Sequence, residues 1–156
     1  MALTRIFRTA TRLSWRRWAA LGRALVWVVG TRPVVFALPW RKVAAAFESA
    51  PVRAGAPDWD RAAITVWAVR AVSKRLLRNK PCLTQALVAR HLLRKEGVET
   101  VLCLGAMRNE GGGFEAHAWL EHGGTVVIGG AHSTATYSPF RPVGRQPEPA
   151  LAGELP

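Results

Sequence analysis

The hydrophobic period of this chain changes once, near Gly97, and that change restricts the fold more than any other feature. Upstream, Cys82, Ala86, Ala89 and Leu93 recur at spacings of four, three and four, which sets them on one face of a helix that ends before Gly97, a C-cap position. Downstream, the stretch GGFEAHAWLEH alternates. Phe114, Ala116, Ala118 and Leu120 point one way, and Glu115, His117, Trp119 and Glu121 the other. TVLCLGAM before it is rich in apolar and β-branched residues. TVVIGG after it is joined through Gly123-Gly124, a two-residue hairpin signal. Helices followed by an antiparallel meander make an α+β arrangement, and 156 residues suit one domain.

The segments before this unit are helical. Residues 58–78 read as a helix with Asp58 as N-cap, Asp60 in its first turn, basic residues near its end, and Asn79-Lys80-Pro81 as its stop. Pro33, Pro39, Pro51, Gly55 and Pro57 mark 31–58 as a connection around a short helix at about 40–49. Residues 1–29 read as a basic helical arm, because Arg5, Arg8, Arg12 and Arg16 run along one face and Ile6, Leu13, Trp15, Trp18 and Leu21 add apolar surface. Five prolines after Ser138 give the last dozen residues a loose character. The expected organisation is therefore 1–57 as helical N-terminal region and connection, 58–140 as the core, and 141–156 as a tail.

Net charge narrows the partners. The formal value is +12, from 22 Lys and Arg against 10 Asp and Glu, which favours nucleic acid, anionic lipid, or an acidic peptide or protein. No zinc finger, helix-turn-helix or RNP-like motif accompanies the charge, so nucleic acid is not the expected partner. The run AALGRALVWVV is interrupted by Arg23 and falls short of the roughly 20 apolar residues a membrane span needs. A secretory signal fits poorly, because GTRPVV stands where a small-residue cleavage site belongs. The expectation is a cytoplasmic protein whose arm packs on the domain or on a partner, with peripheral membrane contact through 1–29 as a second reading. Two cysteines are no disulfide framework, and with four histidines they show no metal-ligand spacing. Neither a metal nor another cofactor is expected.

Cys82 follows Pro81 at the start of its helix. A thiol there sits beside unpaired backbone N–H groups and the positive end of the helix dipole, which favour the thiolate, the nucleophilic form. The alternative is a small buried side chain. His117 lies mid-strand between alanines, and a strand holds a general base rigidly; a histidine there is also commonly structural. His91 is nine residues into the Cys82 helix, roughly 13 Å along its axis. His122 falls at the hairpin turn, His132 in the loop after the third strand, and Cys103 inside an apolar strand, where it reads as core.

CLTQALVARHLLRKEG at 82–97, the strand ending near Gly105, and AHAWLE at 116–121 together resemble the lasso peptide leader peptidase family. This is the transglutaminase-like cysteine protease of lasso peptide biosynthesis, in its stand-alone form without the leader-recognition domain. The resemblance covers about 59–140. It implies a transglutaminase-like and papain-like core, N-terminal helices packed against a small antiparallel sheet, Cys82 as nucleophile and His117 as base. It also implies removal of the leader from a precursor peptide that a small leader-recognition protein presents, and delivery of the freed core to an ATP-dependent cyclase.

One expected element is missing. The family often carries an aspartate about twelve residues after the histidine. A regular hairpin would set His117 opposite position 130, but Gly129 and Gly130 stand there. Glu121 shares the histidine's face at roughly 13 Å, and Glu115 at roughly 7 Å by strand rise. The substitutes are Glu115, a backbone carbonyl, or Ser133 in the following loop, and Gln85 joins backbone N–H groups as an oxyanion candidate. The same gap motivates the alternative of a non-catalytic peptide-binding scaffold.

Overall fold

The computed structural model describes residues 14–48, 51–77, 82–109, 111–130 and 133–140. The expectations for 1–13, Pro81, His132 and the tail 141–156 lie outside them. Four helices precede the sheet: α1 (Trp15–Ala37), α2 (Trp40–Glu48), α3 (Trp59–Leu76) and α4 (Cys82–Arg94). The strands β1 (Val101–Arg108), β2 (Phe114–His122) and β3 (Thr125–Ile128) follow. A single helical turn, α5 (Ser133–Thr136), then leads into the short β4 (Ser138–Pro139). The fold class is α+β, as the sequence implied.

Local chemistry sets most boundaries. Asp58 accepts the Arg61 backbone N–H at 3.0 Å and caps α3, while Lys74 and Arg75 occupy its last turn. α4 stops at Gly97, whose φ of +82° suits glycine. Val98 N–H bonds Leu93 O and Gly97 N–H bonds Arg94 O, which together close a Schellman cap. α1 departs from expectation. Residues 31–37 are helical rather than a connection, with Pro33 inside the helix. Proline removes one backbone donor and strains the turn before it. Here its position is exposed, while Val28 and Thr31 are buried and Val34 and Val35 pack on the core. Tertiary packing on both sides of Pro33 holds the helix through it.

The core is built around α4. The spacing of its small and apolar residues marks one face, yet every residue from Ala86 to Leu93 is buried. α4 lies between the sheet and helices α1, α2 and α3, so all its sides need cover. Ala20, Ala24 and Val28 of α1, Ala68, Val69 and Val72 of α3, and Leu102, Ala118 and Leu120 of the sheet complete one apolar cluster. His91, on α4, packs against Trp27 with ring centroids 3.9 Å apart and the planes tilted by 40°. Burial first, then Lys95 and Arg94, hold its imidazole below the usual range.

Glu96, buried just after α4, ties the helices together. One carboxylate oxygen accepts from Thr65 Oγ1 at 2.8 Å and meets Arg23 at 3.3 Å and Arg61 at 3.5 Å, while its backbone carbonyl accepts the Asp58 N–H. Burial raises its carboxyl above the ordinary value of 4.5, although Thr65, Arg23 and Arg61 oppose that rise. The folded chain therefore holds the proton where the unfolded chain has released it. Stability falls as pH rises from 4.5 through the raised value. Glu96→Gln should keep the Thr65 bond and flatten that slope. Glu96→Ala should cost roughly 3 kcal/mol by leaving a buried hydroxyl and two guanidinium groups without an acceptor. Urea titrations across this pH range read both effects.

The sheet order is β3-β2-β1-β4, antiparallel throughout. β1 and β2 pair over their full length, with Cys103 facing Trp119 and Gly105 facing His117. The expected alternation holds. Leu102, Ala118 and Leu120 enter the helix-side core, while Val101, Cys103 and Trp119 form a second cluster. Gly123 and Gly124 have φ of +54° and +81°, as a tight hairpin turn requires. The hairpin arithmetic fails further along. Glu121 pairs with Val126 but Leu120 pairs with Ile128, so Val127 is a bulged residue. Its carbonyl accepts from Arg70 of α3 at 2.8 Å. The bulge displaces the register by one, and the expected pairing of His117 with Gly130 does not form.

Candidate active site

The two candidate reactive side chains come from the two halves of the fold. Cys82 is the first residue of α4, half-buried at the edge of the main core. The first backbone N–H groups of any helix have no partner within it, so donors surround the sulfur by construction. His117 sits at the middle of β2, half-buried, on the sheet face opposite the helix-side core. Among the described residues no hydrogen bond joins the two.

His117 is held through one ring nitrogen. Nε2 lies 3.0 Å from the Gly129 carbonyl oxygen and 3.2 Å from Ser133 Oγ. The carbonyl can only accept, so Nε2 is the donor, and in the neutral ring Nδ1 is the nitrogen with the lone pair. Ser133 Oγ in turn lies 3.1 Å from Gly129 O and 2.8 Å from Gly130 O, to which it donates. The aspartate position is thus filled by a main-chain carbonyl and a hydroxyl. Ser133, one of the three candidates named for orientation, is brought to the ring. Glu115 is half-buried two residues before His117 on β2, and Gln85 is half-buried in the first turn of α4.

Gly129 explains why no acid stands there. Its φ is +114°, and a Cβ at this position would overlap the Trp119 Cβ. Gly105, across from His117, is as constrained: a Cβ there would lie 2.8 Å from Ser138 O and 2.9 Å from the Trp119 ring. Both glycines make room for Trp119, which is 1% exposed and donates its indole N–H to Glu121 at 2.6 Å. The Trp119 ring runs nearly parallel to the His117 imidazole at 17°, with centroids 6.1 Å apart. The tryptophan is therefore a floor under the histidine.

Tyr137 also packs against the imidazole. Its ring stacks on His117 with centroids 4.7 Å apart. Partial burial, followed by the nearby Glu115 and Cys82, raises its phenol. The same ring thus touches the imidazole and lies within electrostatic reach of the sulfur. Sequence reasoning missed this residue. It is the chain's one tyrosine, but no spacing rule links a loop residue to a strand twenty positions earlier.

Cys103 is the contrasting thiol. It faces Trp119 in the second cluster, and burial, reinforced by Glu121, pushes its pKa up to about 12. It is an inert core residue, as its place in an apolar strand suggested. His122 bonds the Glu99 carbonyl through Nδ1 at 2.6 Å and packs its ring on Trp59. No group of three or more His, Cys, Asp or Glu able to hold a metal occurs among the described residues. Two cavities lie among the helices. One, of about 300 Å³, is lined by Trp15, Arg16, Arg23 and Arg61, and the other, of about 480 Å³, by Trp27, Val34, Phe47 and His91. Neither is lined by Cys82 or His117.

A family model described as the transglutaminase-like superfamily matches residues 25–142, more than half of the chain. No curated protein and no solved structure gives a significant match.

Proposed function

The chain belongs to the transglutaminase-like superfamily, and on that premise we propose that it is a cysteine peptidase that removes the leader from a lasso peptide precursor before macrolactam closure. The carrying observation is the His117 tether. Its Nε2–H is committed to Gly129 O, which leaves Nδ1 as a base on a strand beside the helix that begins with Cys82. The matched family accommodates cysteine peptidase chemistry, and the leader-peptidase reading rests on the CLTQAL and AHAWLE stretches.

In this reading Nδ1 of His117 takes the Cys82 proton as Sγ attacks the carbonyl carbon at the end of the leader. A C–S bond forms and the carbonyl oxygen becomes an oxyanion. The first N–H groups of α4 are aimed at that charge, and Gln85, half-buried one turn along, is the side-chain candidate to assist them. The imidazolium then gives its proton to the departing amine as the C–N bond breaks. Water, deprotonated by the same nitrogen, hydrolyses the thioester and restores the thiol. Neither a metal nor another cofactor enters. The partners are the precursor, a small leader-recognition protein and an ATP-dependent cyclase, and the proposed location is cytoplasmic.

Ser133 is a positioning residue, since it acts through His117 and the two glycine carbonyls. Ser133→Ala should lower kcat by about tenfold or less, because the Gly129 carbonyl remains. KM should stay unchanged and Ser133→Thr should restore the rate. Steady-state cleavage of a precursor peptide measures all three.

A second reading, a non-catalytic peptide-binding scaffold, draws on the absent carboxylate at 129 and 130. Iodoacetamide separates the two. A peptidase predicts Cys82 alkylation faster than a free thiol of the same buffer, and a scaffold predicts no such advantage.

A further inference from the structure

The outer face of α1 exposes large apolar side chains that the proposed chemistry does not use. Trp15, Trp18, Leu25, Val26 and Val29 are all exposed, Trp15 at 76%, Val26 at 69% and Val29 at 57%. At one turn per 3.6 residues these five fall within an arc of about 100°, in a stripe roughly 21 Å long. The opposite side, with Ala20, Ala24, Val28 and Thr31, is buried in the core. α1 is thus apolar on two sides, one buried in the core and one exposed. The stripe continues around Val26 and Gly30 into the apolar groove lined by Val34 and Phe47. Contiguous apolar surface of this kind marks a contact site.

Charge identifies what the stripe meets. α1 carries Arg16, Arg17, Arg23 and Arg32 and no acidic residue, and residues 1–47 hold nine Lys and Arg with no Asp or Glu. A second copy of the chain would bring two such cationic surfaces together. Nucleic acid would match the charge but offer nothing to five large apolar side chains. A surface with anionic groups outside and hydrocarbon beneath matches both. Tryptophan settles at the boundary between the two, and Trp15 and Trp18 stand together at one end of the stripe. No helix among the described residues is long and apolar enough to cross a membrane, so α1 would lie in the surface plane. We infer that the outer face of α1 is a docking surface for an anionic lipid bilayer. This holds whether or not the chain is a peptidase, and its test involves no cleavage.

The experiment is co-sedimentation of the full chain with vesicles of phosphatidylcholine alone and of phosphatidylcholine mixed with phosphatidylglycerol. The expected result is retention by the mixed vesicles only, largely released at about 0.5 M salt, where the Debye length is a few ångströms. Val26→Glu with Val29→Glu should weaken retention at least about tenfold, with circular dichroism and Tm unchanged because both side chains are exposed. Arg16→Glu with Arg32→Glu provides an independent pair acting on charge alone. Equal retention by both vesicle types, retention by neither, or full retention of the Val26/Val29 pair would overturn the inference. So would a dimer in gel filtration that the same valine pair dissociates, which would assign the face to a second copy. A tight complex with an acidic protein and no vesicle binding would assign it to protein.

Discussion

Cys82→Ala is expected to abolish precursor cleavage in a reconstituted mixture of precursor, leader-recognition protein and this chain. Cys82 is the one described thiol at a helix start, while Cys103 is buried and held as the thiol, its pKa pushed up to about 12. His117→Ala should lower the rate by about a hundredfold to ten-thousandfold, the usual range for losing a positioned general base. Because the two act as one unit, the double variant should be barely worse than Cys82→Ala. Cys103→Ala should retain cleavage, at a modest cost in stability from the space left beside Trp119. Mass spectrometry of the released leader reads all four. Cleavage that survives Cys82→Ala ends the peptidase reading, and a Cys103 dependence would move the nucleophile to the buried thiol on His117's own sheet face.

Gly129→Asp, the substitution that would supply the carboxylate the resemblance leads one to expect, should unfold or strongly destabilise this chain instead of improving it. Two causes add. A φ of +114° is a region that side-chain-bearing residues rarely adopt, and the new Cβ would be forced into the Trp119 Cβ and against its Cα at 3.0 Å. Trp119 cannot yield, since it is fully buried and its indole N–H is fixed by Glu121. The expected loss is roughly 3 kcal/mol or more, from backbone strain plus overpacking. Gly129→Ala should lose nearly as much, which separates the steric cause from the added charge. Gly130→Asp is the control, because a Cβ there meets nothing within 4 Å, although its φ of +97° still strains it. Thermal unfolding of the three variants tests this. A Gly129→Asp protein with unchanged Tm and faster cleavage would show that the carbonyl tether is not what orients His117.

Local signals and long-range contacts contribute separately to this site. The places of Cys82 at a helix start and His117 in mid-strand were legible because each element has a strong local signature, a helix opening after proline and an alternating strand. Ser133 was legible as a neighbour of the hairpin, one candidate among several. Tyr137 was not, because its place on the imidazole depends on a single helical turn and a two-residue strand, both too short for any period to announce them. The bulge at Val127 was also hidden. Nothing in TVVIGG distinguishes a regular ladder from one with an extra residue, and the Arg70 side chain that takes the bulged carbonyl comes from a helix 57 positions away.

By itself, the sequence determined the order of helices and strands, the caps at Asp58 and Gly97, the tight turn at Gly123-Gly124, and the two faces of β2. All of these follow from interactions within a few residues, where propensity and periodicity act. Only the tertiary structure decided that α1 continues through Pro33, that α4 is enclosed on every side, that Glu96 joins three helices, and that His117 leans on a main-chain carbonyl. Each of those depends on groups brought together from distant positions, and a carbonyl oxygen, which every residue carries, leaves no mark in a sequence.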